Sequence, residues 1–67
     1  MKTINDIFKK SSEIKMYYDN SSSDIKKMIQ NIYNASFRFG LNDTQIIYMM
    51  QEALRPFKSD LLSGLLK

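Results

Sequence analysis

Few side chains in this 67-residue chain could do chemistry, and their types and positions argue against catalysis. Ten basic and seven acidic residues and four tyrosines are present, but no His and no Cys. The chain therefore lacks the usual general base, the commonest metal ligand and any thiolate nucleophile. Nothing can activate a serine through a neighbouring imidazole, and no Gly-rich loop is present to cradle a phosphate. Asp6, Asp24, Asp43 and Asp60 fall where helices are expected to begin, and negative charge there favours the helix dipole. They read as helix-start residues rather than as catalytic acids. The sequence thus points to no catalytic residues, no metal ligands and no cofactor.

A second class of chemistry is nucleic-acid recognition. The segment from Ile25 to Arg55 has the outline of a helix-turn-helix: a helix, a short Gly-containing turn, and a helix that opens on polar residues. Asn42, Thr44 and Gln45 are types that reach base edges. Lys26, Lys27 and Arg38 form a basic stripe on the preceding helix. Charge argues the other way. The formal net charge of +3 is spread along the chain. The would-be recognition helix sets Asp43 and Glu52 against Arg55, so it brings almost no positive charge toward phosphate. A small helix-turn-helix DNA-binding regulator is therefore the runner-up reading.

The third class is protein binding, and it takes up the large apolar residues that fit no apolar stripe. Tyr48 points away from the stripe of its helix, and Met49 lies on the flank. On the preceding helix Phe37 points away from the core arc and Tyr33 sits at its edge. Aromatic residues and methionine are enriched at interfaces, and Met adapts to varied partners. Leu62 and Leu66, in a leucine-rich tail, add apolar surface that a core of this size cannot use on all sides. Tyr33, Phe37, Tyr48, Met49, Leu62 and Leu66 are accordingly the expected partner-contacting residues.

These side chains must be held by helices, because the apolar pattern has a helical period and no strand alternation. Thr3 and Asp6 form a capping box for a first helix over 3–18, whose stripe is Ile4, Ile7, Phe8, Ile14 and Tyr18, with Tyr17 well off it. Asn20 and the triple serine Ser21–Ser23 make a polar link. A second helix over 24–39 carries Ile25, Met28, Ile29, Ile32, Ala35 and Phe39 inward. Gly40 stands where a left-handed residue closes a helix, and Leu41 packs back on that helix. Asn42 caps a third helix over 43–55, with Gln45 as its reciprocal partner and Ile46, Ile47, Met50, Ala53, Leu54 and Phe57 as its stripe. Pro56 ends or kinks that helix, and residues 57–66 form a short helical tail.

The fold expected is all-α: a single domain spanning residues 1–67, a small three-helix bundle with a short fourth C-terminal helix. Its longest strictly apolar run is Ile46–Met50, too short for a signal peptide core or a membrane span, so the chain is expected in the cytoplasm and not in a membrane. The tail is amphipathic but offers only Lys58 and Lys67 as basic residues, against the more basic face of interfacial helices. The short, Cys-free, lysine-rich outline is common among small regulatory proteins of phages and mobile elements. The expected role is a non-enzymatic interaction module, accessory or inhibitory, that binds a protein partner. A homodimer is also expected, because apolar residues exceed what so small a core can cover.

Overall fold

Capping chemistry divides the chain into its helices. The computed structural model describes the backbone of residues 3–65; for residues 61, 62, 64 and 65 only the helix assignment is described. Five helices follow in order: α1 (Ile4–Lys10), α2 (Ser12–Asp19), α3 (Ser23–Arg38), α4 (Asp43–Leu54) and α5 (Lys58–Leu65). A 3-10 turn over Arg55–Phe57 joins the last two, and no strand occurs among the described residues. The all-α bundle anticipated from the helical period is the fold observed.

The first helix departs from expectation. In place of one helix over 3–18 there are two, because Ser11 sits extended at φ −138° and ψ 94°. Its backbone N–H closes α1 on the Ile7 carbonyl at 2.9 Å, and its hydroxyl accepts from the Ile14 N–H at 3.4 Å to open α2. The residues around it favour this break. Lys9 and Lys10 end α1 and Glu13 begins α2, each matching the dipole of its own helix. Serine side chains also compete for backbone hydrogen bonds, which makes serine a good cap and a weak helix interior. The break resets the helical phase. Tyr17, well off the stripe of a continuous helix, turns inward beside Ile14 and is only 5% exposed.

Local bonds join α3 to α4. The Leu41 N–H donates to the Ser36 carbonyl and the Gly40 N–H to the Phe37 carbonyl, both at 3.0 Å. This pair of bonds is the Schellman closure. Gly40 takes φ 77°, a left-handed conformation that glycine adopts at no steric cost. Asn42 and Gln45 then cap α4 reciprocally, at 2.9 and 3.0 Å. The two helices form a hairpin and pack on each other more extensively than any other pair.

The core is Ile7, Ile14, Tyr17, Ile29, Tyr33, Ile46, Met50 and Leu54, with Phe8, Ile25, Met28, Ile32, Leu41, Ile47 and Phe57 packed around it. Two positions on α3 differ from the expected stripe. Ser36 is buried and Ala35 is exposed, while Phe39 is 83% exposed. The inward face therefore lies toward Tyr33 and Ser36, and Phe39, the cap residue of α3, falls outside it although its backbone is still helical. An ion pair ties α1 to α4: Lys10 Nζ lies 2.6 Å from Asp43 Oδ2, with the carboxylate largely buried and the ammonium mostly in solvent.

Beyond Leu54 the backbone stays in the right-handed helical region at Arg55 and Lys58. Pro56 stands in the first turn of the 3-10 segment, as its missing N–H permits. The anticipated end of α4 before Pro56 is thus found, and the 3-10 turn leads directly into α5. That helix contacts chiefly the 3-10 turn, and the molecule measures 37 × 19 × 18 Å.

Gly40 has nothing within 4 Å of the place a Cβ would occupy. Gly40→Ala should therefore cost about 1 kcal/mol, from backbone strain alone, and Gly40→Asn less. Urea unfolding at matched protein concentration measures this; an alanine variant as stable as the parent would contradict the left-handed closure.

Candidate functional site

A groove opens where α2 turns away from α1 and faces α4. Glu13, Ile14 and Tyr17 form its α2 wall. Tyr48, Gln51, Glu52 and Leu54 form the α4 wall, and Arg55 and Lys58 extend it toward α5. Its volume is about 330 Å³, at the lower end of ligand-binding cavities. Ile14, Tyr17 and Leu54 are core residues, so the floor is apolar and fixed by packing. Polar and charged groups make the rim. Arg55 Nη2 donates to Glu52 Oε2 at 2.5 Å, so these two charges neutralise each other. Glu13 and Lys58 stand on opposite walls, and neither has a partner among the described residues.

Tyr48 gives the groove its character. It is 60% exposed on the rim, with no ring or hydrogen-bond partner among the described residues. Burying such a ring supplies a large apolar area at the cost of ordering only two torsions, which makes it an economical anchor for a partner. No family model matches this chain, and neither a curated protein nor a solved structure matches it. Among the described residues no group of three metal-ligating acidic, His or Cys side chains occurs, and no helix is long and apolar enough to cross a membrane.

The other anticipated partner-contacting residues do not share this groove. Met49, about 100° further round α4, is half-exposed and outside its lining. Phe37 is 54% exposed but has an intramolecular role that the sequence did not reveal: its ring stacks on Tyr33, centroids 6.1 Å apart. Tyr33 requires a correction. It is 8% exposed and belongs to the core, since the inward face of α3 lies further toward it than the stripe of isoleucines implied. The Leu62 side chain and the whole of Leu66 lie outside the described residues. Phe39, assigned inward by its spacing, is instead the most exposed of the large apolar side chains described. Its backbone remains helical, so its exposure follows from the shift of the inward arc toward Tyr33 and Ser36 and from its place at the last position of α3, next to Gly40.

The residues considered for nucleic-acid contact are also dispersed. Lys26 lies 5.7 Å above the Tyr18 ring, at the N-terminal end of α3 with Lys27. Arg38 is three turns away, about 18 Å along the helix axis. The acceptor oxygens of Asn42 and Gln45 are held in the α4 capping box, which leaves Thr44 as the exposed polar side chain there without a capping bond. Asp43 has a role that sequence reading missed, as the carboxylate that Lys10 reaches across from α1.

The Tyr33 hydroxyl is buried without a hydrogen-bond partner, an arrangement that costs stability. Tyr33→Phe should leave stability unchanged or raise it by up to about 1 kcal/mol, whereas Tyr33→Ala should cost about 3–5 kcal/mol. Denaturant titration of both variants checks this, and a clear loss on Tyr33→Phe would show that the hydroxyl is paired in solution.

Proposed function

We propose that this chain is a non-enzymatic interaction module that binds a protein partner through the α2–α4 groove, with Tyr48 as its anchor. The observation that carries this reading is the exposed Tyr48 ring above a floor of packed core side chains. A rigid floor holds the groove open before a partner arrives, so little order is lost on binding. Mixed charge around an apolar centre is the usual anatomy of a protein-binding surface. The role we assign is accessory or inhibitory: the module occupies a surface of its target and performs no chemistry on it.

Support for the DNA-binding alternative is weaker. Reading the major groove with α4 would bring no basic residue of that helix toward phosphate: it carries Asp43, which Lys10 holds, and Glu52, and Arg55 beyond its end is already paired with Glu52.

Tyr48→Ala tests the proposal. Because the ring is mostly solvated, its removal should change folding stability by no more than about 0.5 kcal/mol. Partner affinity should fall by about 2 kcal/mol or more, roughly thirtyfold. The measurements are thermal unfolding, and pull-down from host cells with parent and variant as bait, followed by titration of the captured protein. Equal capture together with equal self-association by parent and variant would refute the anchor role.

A further inference from the structure

The two walls of the groove carry opposite charges that no ion pair answers among the described residues. Glu13 stands on the α2 wall and Lys58 at the α5 end of the facing wall, each without an ion-pair partner among the described residues. The remaining charged pair, Glu52 and Arg55, is already satisfied internally. The lining is therefore formally neutral, although the chain as a whole carries +3. A neutral groove exerts no long-range pull on a strongly charged partner. Its charge pattern instead has the property that a two-fold dimer requires, in which residue i meets residue j of the other copy and j meets i.

We propose that the occupant of this groove is a second copy of the chain, related by a two-fold axis across it. The inference rests on the reading of the groove as a protein-binding surface and names the partner. In this arrangement the α2 wall of one copy lies over the α4–α5 wall of the other. Glu13 then faces the partner's Lys58 and Lys58 faces the partner's Glu13, so one ion pair occurs twice. Tyr48, on the α4 wall, then faces the partner's α2 wall, whose apolar side chains Ile14 and Tyr17 stay buried beneath the contact. Both unpaired charges are answered and the exposed ring is covered, with no component other than the chain itself. Two reciprocal charge pairs also fix the orientation, since rotating one copy about the contact sets like charges against each other.

Charge reversal in the full chain distinguishes this from a fortuitous pattern. Sedimentation equilibrium gives the dimer dissociation constant for the parent, Glu13→Lys, Lys58→Glu and the double variant. Each single reversal should weaken the dimer about tenfold, because symmetry places two like-charge pairs in it, and the double variant should recover to within about threefold of the parent. Glu13→Gln serves as a second probe, since reversing a charge in the first turn of α2 also perturbs that helix. It should weaken the dimer less than Glu13→Lys, with helicity unchanged.

A parent chain that remains monomeric at high micromolar concentration would overturn the proposal. So would a dimer indifferent to both single reversals, or a double variant weaker than either. The broader reading has its own readout. If the chain is monomeric but Tyr48→Ala abolishes capture of a different protein, the groove binds proteins and only the second-copy assignment fails. If Tyr48→Ala affects neither self-association nor capture, both readings fail.

Discussion

The interruption of the first helix at Ser11 is the constraint on which the rest of the structure depends. A helix continuous through this point would carry Ile7 and Ile14 inward but leave Tyr17 to the side. One extended residue, bonded backward to the Ile7 carbonyl and forward to the Ile14 N–H, resets the phase and adds a third large side chain to the core. For a 67-residue chain without cysteine, and hence without a disulfide, one more buried aromatic ring is a substantial share of the core. The same break fixes α1 separately. Lys10, at the end of α1, reaches Asp43 at the start of α4, while α2 departs to face the other end of α4. The groove is the space between that departing helix and α4.

The chemistry around the groove follows from this geometry. Core side chains floor it, so the groove wall is as rigid as the core, and the polar groups that helices present to solvent become its rim. A binding surface needs a fixed shape, an apolar centre and oriented charges, and these are what the bundle offers. Among the acidic residues, Asp6, Glu13, Asp24, Asp43 and Asp60 lie in first turns of helices, Asp19 pairs with Lys15, and Glu52 pairs with Arg55.

What was legible in the sequence was whatever depends on near neighbours in the chain. The Thr3–Asp6 and Asn42–Gln45 boxes, the left-handed Gly40 and the end of α4 before Pro56 all follow from local rules, and all are present. The inward face of α4 was legible too, because three buried residues at i, i+4 and i+8 define it. The Ser11 break was signalled by the run Lys9-Lys10-Ser11-Ser12-Glu13, basic then acidic about two serines, but a continuous periodicity through Ile4, Ile7, Phe8 and Ile14 outweighed it. Tyr33 and Ser36 were obscured for a different reason. The inward arc of α3 is set by its close approach to α4 at the Schellman end, and periodicity within one helix cannot report where its neighbour lies. The candidate site was therefore half legible. Tyr48 stood out as an aromatic on a polar face, whereas its opposite wall, Glu13 and Tyr17, depended on a rotation that only the folded chain displays.

A concentration series of amide and side-chain NMR spectra locates whatever surface the 67-residue chain uses without presuming which. Shifts on concentration, or on addition of a captured partner, should centre on Glu13, Tyr17, Tyr48, Gln51 and Lys58. Phe37 and Phe39, at the opposite end of the α3–α4 hairpin, should stay unmoved. Shifts that centre on Phe37 and Phe39 and leave the groove silent would contradict the groove as the binding surface.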